Sequence, residues 1–137
     1  MDTIPPGRRS MNMSRIRSRH TSPEMIVRRL VHGMGFRYRL HVAYLPGKPD
    51  MVFPRLRKII DVRGCFWHQH KGCIDSHIPK SRTDYWRPKL ANNMRRDKEN
   101  AKRLKADGWR MFTLWECELR ALKALRRRLA AFLRSAP

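Results

Sequence analysis

Three kinds of side chain stand in this sequence where their types and spacing could do chemistry: thiols beside imidazoles, acids inside apolar runs, and aromatics crowded into one loop. The cysteines are Cys65, Cys73 and Cys117. Cys65 and Cys73 share with His70 a short, glycine-bearing stretch with little apolar content to fold it. Tetrahedral zinc, bound through thiolate and imidazole, supplies order to such a loop. Cys117 lies far along the chain, just after an apolar run, and could complete a Cys3His set that ties the loop to the rest of the fold. His68 and His77 are alternative imidazole ligands, and the plainer alternative is three free thiols, one of them in the core. An odd cysteine count, with no apolar signal core at the N-terminus, argues against a disulfide framework.

The acids are scarce, 11 Asp+Glu against 32 Lys+Arg, which leaves a formal charge of +21. Two of them fall among apolar residues: Asp50 before Met51-Val52-Phe53, and Asp61 within Ile59-Ile60-Asp61-Val62. A lone acid in an apolar strand is costly unless it is paired or binds a cation. Placed at the ends of adjacent strands, the two could hold Mg2+ against a phosphate, as phosphodiester hydrolysis requires. Arg63, two residues after Asp61, shares its face of the strand. The pattern Pro49-Asp50…Asp61-Val62-Arg63 resembles the PD-(D/E)xK nuclease signature with Arg in place of Lys; the alternative is an Asp61–Arg63 surface pair on an edge strand. The excess positive charge calls for a polyanion, with nucleic acid ahead of an anionic membrane. No apolar run approaches the ~20 residues that span a bilayer, so the expectation is a soluble cytoplasmic protein.

These groups need a scaffold, and 137 residues with 41% hydrophobic content suffice for one packed domain. Residues 1–20 carry five Arg and one acid and read as a basic N-terminal arm, leaving residues 21–137 as the single domain. Thr21 or Ser22 can cap a helix that begins at Pro23, carries Ile26, Val27, Leu30, Val31 and Met34 on one face, and stops at Gly35. Phe36, Tyr38 and Leu40 alternate with Arg37, Arg39 and His41 as in a half-exposed strand. After a turn at Leu45-Pro46-Gly47-Lys48-Pro49, residues 50–53 and 58–62 read as a hairpin across Pro54 to Arg57. Residues 83–107 form a helical pattern with Trp86, Leu90, Met94, Ala101 and Leu104 on one stripe. Trp109 to Trp115 reads as a buried strand, and Leu119, Leu122, Leu125, Leu129 and Phe132 mark a closing helix. The order α-β-β-β-α-β-α predicts an α/β fold, a mixed sheet with helices on both sides.

Gly64-Cys65-Phe66-Trp67-His68-Gln69-His70, together with Leu45-Pro46-Gly47-Lys48-Pro49-Asp50, Asn93-Met94-Arg95-Arg96-Asp97 and Trp115-Glu116-Cys117, is similar to the very short patch repair (Vsr) DNA mismatch endonucleases, in their order and spacing from about Met13 to Leu119. The resemblance implies a restriction-endonuclease-like fold with a structural zinc site held by Cys65, His70, Cys73 and Cys117. It implies Asp50 as a Mg2+ ligand, helped by the backbone carbonyl of Val62, and Glu24 as an acid that supports that site through water. His68 matches the family's catalytic histidine, the base for the attacking water, which suits a side chain that changes charge near neutral pH. Asp97 can orient His68 by a hydrogen bond, or it can be an ordinary surface acid. Phe66, Trp67 and Trp86 match aromatics that wedge into DNA beside a mismatch; for Trp86, on an apolar stripe, a core position is the competing reading. Trp109 and Trp115 read as core. The sequence departs from the family's pattern at Val62, often small or polar there, at Arg63, often His or Asp, and by one extra residue between His70 and Cys73. Arg63 could stabilise developing phosphate charge or repel the metal.

The expected activity is Mg2+-dependent nicking of double-stranded DNA 5′ to the thymine of a T:G mismatch, by a monomer in the bacterial cytoplasm or nucleoid, with mismatch-repair proteins as possible partners. Rivals are a related restriction or mobile-element nickase with another target, and a catalytically silent DNA-binding zinc domain in which Arg63 has displaced the metal.

Overall fold

The computed structural model describes residues 22–136, so the basic arm expected over residues 1–20 and a cap at Thr21 lie outside it. Helix α1 (Ser22–Gly33) is followed by strands β1 (Arg39–Leu40), β2 (Met51–Phe53) and β3 (Lys58–Arg63). A 3-10 turn at Ile74–Ser76 precedes helix α2 (Thr83–Ala106); strand β4 (Arg110–Trp115), a 3-10 helix at Glu116–Ala121 and helix α3 (Leu122–Arg134) complete the chain. The four strands form one mixed sheet in the order β1-β2-β3-β4, antiparallel except for the β3–β4 pair. That pair is parallel because the long α2 crossover returns the chain to the same end of the sheet.

Strand alternation sends neighbouring side chains to opposite faces. Met51, Phe53, Ile60 and Leu114 meet Val27 and Val31 of α1 and Leu125, Leu129 and Leu133 of α3. Val52 and Ile59 meet Leu104 of α2, with Val42, Leu45 and Trp109. The expected α/β architecture, with helices on both sides of a mixed sheet, is what the structure shows.

Several local expectations are corrected. The strand read over Phe36 to His41 pairs only at Arg39 and Leu40; Phe36 and Tyr38 pack against the core instead. The 109–115 strand starts at Arg110, and of its residues only Leu114 is fully buried. The closing helix is split, because residues 116–121 wind as a 3-10 turn before α3 starts. The split leaves Leu122 exposed and puts Leu133 on the buried face with Leu125 and Leu129. Ile26 is exposed in α1, whereas Glu24, on the face of Val27 and Val31, is buried.

Lys58 opens β3 with its side chain fully buried toward α3. Its Nζ donates to the carbonyl oxygens of Phe132 (2.7 Å), Leu133 (3.3 Å) and Ser135 (2.6 Å). A helix leaves its last carbonyls without intrahelical partners, so the ammonium closes the end of α3 and fastens it to β3.

Candidate active site and metal cluster

The β2–β3 register sets Met51 against Ile60, which brings Asp50 beside Asp61 and Val62. The Asp50 amide donates to Asp61 Oδ1 (3.2 Å), and the Val62 amide donates to Asp50 Oδ2 (2.7 Å). Burial above all, and then the Asp61 and Glu24 carboxylates, push the Asp50 carboxyl up to about 8, against the pull of the Val62 amide and of Arg28. Asp61 is also pushed up, again by burial first, with Arg63 opposing. Acids crowded in this way lack positive charge, and a divalent cation would supply it. The donor set fits a hard ion.

Asp61 and Arg63 do not form a surface pair on an edge strand, since β3 runs between β2 and β4. With Ile59 they face α2, and Arg63 reaches both Asp61 (3.9 Å) and Asp97 (3.9 Å). Asp97 accepts a hydrogen bond from His68 Nδ1 at 2.7 Å. A carboxylate can only accept here, so that nitrogen carries its proton and Nε2 is the basic one. Arg63 thus bridges the Asp50–Asp61 pair and the His68–Asp97 pair.

His68 sits in a loop wound by its own backbone: the His68 amide donates to the Gly64 carbonyl (3.2 Å) and the His70 amide to the Cys65 carbonyl (2.9 Å). The winding turns Phe66 and Trp67 toward each other, with ring centroids 5.2 Å apart, and Trp86 packs on both, at 5.4 Å from Phe66 and 5.7 Å from Trp67. All three rings remain partly exposed. Trp86 is therefore a member of this cluster rather than of the core beneath the sheet. Tyr85 extends the cluster edge-on to Trp86 at 4.9 Å.

The inner stripe of α2 explains how loop and helix stay in register. Trp86, Asn93 and Asp97 are spaced by seven and four residues and share one face. The Asn93 side-chain amide donates to the Trp67 carbonyl (3.1 Å), one turn before Asp97 holds His68. Met94, assigned to the stripe by its hydrophobicity, is exposed. One turn past Asp97, Asn100 packs so closely on Gly47, at φ +79°, that a Cβ there would lie 2.9 Å from its nitrogen.

Cys65, His70, Cys73 and Cys117 come together as the spacing suggested, their donor atoms all within 4.8 Å of one another. His70 Nδ1 is 3.7 Å from Cys65 Sγ and 3.4 Å from Cys117 Sγ. Ligands on a tetrahedral zinc, with bonds of about 2.0–2.3 Å, stand roughly 3.5 Å apart. The His70 ring stacks on Trp115 at 4.2 Å, which accounts for the half-buried position of that tryptophan. Burial pushes the Cys65 thiol up to about 12, so it would ionise only when a cation binds. His68 stands with Asp97 instead of the thiols. The Nδ1 of His77 lies on the Ile74 carbonyl, and it is His70 that joins the cysteines.

Sequence reasoning missed one residue of the acidic centre. His41, expected on the exposed side of a strand, has a left-handed backbone (φ +45°) and a side chain only 9% exposed. Its Nε2 lies 2.8 Å from Glu24 Oε2 and 3.8 Å from Asp50 Oδ1. Glu24 also pairs with Arg28 one turn along α1. The available signal was the acid at Glu24 on the buried face of α1, which needs a polar partner from the sheet edge.

Comparison with known proteins bears on the whole arrangement. A family profile described as DNA mismatch endonuclease Vsr matches residues 1–74. The Type II nicking enzyme V.XorIIP of Xanthomonas oryzae pv. oryzae is 48% identical over 132 residues, 96% of each chain. The Type II nicking enzyme V.NmeAIP of Neisseria meningitidis serogroup A is 38% identical over 133 residues, 97% of this chain and 94% of its own. The DNA mismatch endonuclease Vsr of Escherichia coli K12 is 40% identical over 117 residues, 85% of this chain and 74% of its own. With a profile match over more than half of its length and relatives this similar across most of it, the chain belongs to the Vsr family of DNA mismatch endonucleases.

Proposed function

We propose that this DNA endonuclease nicks one strand of duplex DNA 5′ to the thymine of a T:G mismatch, leaving a 3′-hydroxyl and a 5′-phosphate. The observation that carries the reading is the contiguity of wedge and base. Phe66 and Trp67 precede His68 in one loop, and α2 contributes Trp86 to the wedge and Asp97 to His68. Rings presented together at the surface can enter a base step, and a mismatched step is the cheapest to unstack. Unstacking would then bring the adjacent phosphate to the carboxylates and His68.

In the proposed reaction Asp50 and the Val62 carbonyl hold Mg2+, which when bound would withdraw charge from the phosphate and help ionise a water. His68 Nε2 takes the proton of the attacking water as its oxygen bonds to phosphorus. Asp97 fixes the ring and stabilises the imidazolium that results. The bond from phosphorus to the 3′-oxygen breaks, and that oxygen takes a proton from solvent. Arg63 lies between both carboxylate pairs and balances their charge as the proton moves. Glu24 acts on the ion's surroundings from α1, and Asp61 positions Asp50 through its amide. Cys65, His70, Cys73 and Cys117 hold Zn2+, which keeps the loop wound.

The positive surface supports the DNA substrate: α3 carries Arg126, Arg127 and Arg128, all exposed. Such contacts bind phosphates without reading sequence. No described helix is long and apolar enough to cross a membrane. The relatives are bacterial, and the proposed site of action is the bacterial cytoplasm, with the protein acting as a monomer. Mismatch-repair proteins are possible partners.

The test is nicking of a T:G duplex and its T:A control with Mg2+ or with EDTA. Nicking confined to the T:G strand in Mg2+ is the expected result. Equal cutting of both duplexes would point to a nickase of another target, and binding without cutting would sink the catalytic assignment.

A further inference from the structure

His41 has no task in the reaction described above, yet it is enclosed at the centre of the carboxylates. Its backbone amide donates to the Asp50 carbonyl (3.3 Å), so the β1–β2 ladder continues one residue past the strand. The left-handed φ there is a conformation that costs a residue with a Cβ energy, and such positions persist where the surroundings fix them. The result is an imidazole nitrogen 2.8 Å from a carboxylate oxygen of α1 and 3.8 Å from one at the start of β2.

A protonated imidazole would pair with both carboxylates at these distances, but it adds one positive charge among three crowded acids, Glu24, Asp50 and Asp61, where a shared divalent ion adds two. One ion accounts for both. On an octahedral cation with bonds of about 2.1 Å, neighbouring ligands stand about 3.0 Å apart and opposite ligands about 4.2 Å. The donor atoms of Glu24, His41 and Asp50 all lie within 4.8 Å of one another, the spread that a shared ion requires. They come from α1, the end of β1 and the start of β2, so the site is set by how helix and sheet pack rather than by a flexible loop. Arg28 pairs with Glu24 and offsets part of the charge, leaving Asp50 and Asp61 to balance a divalent ion.

We propose that His41 is a direct ligand of the cation held by Asp50, and that Glu24 binds the same ion directly rather than through water, giving a nitrogen–oxygen–oxygen site that favours a first-row transition ion over Mg2+. The proposal rests on the reading that Asp50 holds the ion. Mg2+ prefers oxygen donors and gives up its waters reluctantly, whereas imidazole nitrogen binds transition ions well. Mn2+ is a suitable probe because it stands lowest in its series and would not displace an ion from the thiolates of the cysteine cluster.

The experiment uses the full chain with the ion of the Cys3His cluster left in place. Mn2+ is titrated by loss of the free-ion electron spin resonance signal, and Mg2+ by competition. The unsubstituted protein is expected to bind one Mn2+ per chain roughly tenfold or more tighter than Mg2+. Its spin-echo spectrum should carry imidazole nitrogen modulation that changes when the protein is grown on 15N-histidine. His41→Gln should lose that modulation and most of the Mn2+ advantage while holding Mg2+ within about threefold. Asp50→Asn should lose both ions. Modulation that persists in His41→Gln, or an unchanged preference, overturns the role of His41 and leaves the Asp50 reading standing. Mn2+ bound normally by Asp50→Asn overturns that reading instead. Unsubstituted protein with no histidine-dependent modulation refutes the proposal without relying on the folding of any variant.

Discussion

Asp50 and Asp61 stand together because a strand register puts Met51 against Ile60; Cys65, His70 and Cys73 stand together inside a wound loop that belongs to no strand. In the first region the sheet does the positioning, and the buried residues around it, Val52, Phe53, Ile59 and Ile60, would hold those carboxylates near each other with or without an ion. In the second, the groups that would bind a metal are the ones that tie the loop to Cys117 beyond β4. The contrast separates two uses that a bound cation would have. One is recruited by a site already built, and the other completes the building.

Substitution in the prebuilt centre should therefore remove chemistry and little else. Asp50→Asn in that centre, and His68→Ala at the loop end that faces it, are expected to lower nicking about 10^3-fold or more with duplex affinity close to the parent's, and without divalent ions Asp50→Asn should melt no lower than the parent. Asn can still accept from the Val62 amide, so the register survives the change. Single-turnover nicking beside a binding titration checks this. Normal turnover in either variant would remove that residue from the mechanism.

Stripping the ion from the cysteine cluster should do the reverse, with structure failing first. We expect loss of exchange protection over residues 64–73 and a fall of several degrees in melting temperature, corresponding to roughly 1–3 kcal/mol. The amides of β2 and β3 should keep their protection. Nicking should fall too, since Phe66, Trp67 and His68 ride on the same loop. Hydrogen exchange with mass spectrometry, after the metal content has been verified, reads both regions in one sample. Equal loss of protection in both would mean that the cysteine cluster supports the sheet as well.

The same contrast explains what could be read in the sequence. The cysteine cluster was legible because metal ligation constrains residue type, and Cys65, His70, Cys73 and Cys117 have few other reasons to coincide. The fold was legible from strand alternation and from helix stripes such as Val27-Val31. Failures came where a polar group is buried by tertiary packing. The strand pattern at 58–62 assigns Lys58 no partner, yet it closes the end of α3. His41 follows the alternation of an exposed strand until one left-handed residue redirects it. Asn93 looks like the wet side of α2 when only apolar residues are counted, although it shares the stripe of Trp86 and Leu104 with Asp97, whose hydrogen bond with His68 was open to sequence reasoning. Periodicity reports which face is buried; it does not report that a buried face can be polar where a loop must be held.

Proton uptake gives the finest test of the comparison, because both regions resist ionisation without a cation but at different pH. Burial and its neighbours raise Asp50 from 3.8 to about 8, whereas burial raises Cys65 from 9.0 to about 12. Only Asp50 titrates in an ordinary working range. Below pH 3.8 its carboxyl is protonated in folded and unfolded chains alike, and the folded state has the full benefit of its preference for the neutral form. As pH rises from about 4 toward 8 the unfolded chain releases this proton while the folded chain retains it. The contribution of Asp50 to stability is therefore lost progressively, by at most about 1.4 kcal/mol per pH unit. Without added divalent ions the protein should melt lower at pH 8 than at pH 5, by more than Asp50→Asn does. Saturating Mg2+ should shrink that difference, because an ion binds the ionised carboxylate. Over the same interval Mg2+ affinity should rise with pH, by up to tenfold per unit, and level off near pH 8. An affinity flat from pH 5 to pH 8 would mean that Asp50 is already ionised, so that other charges neutralise the centre before the cation arrives.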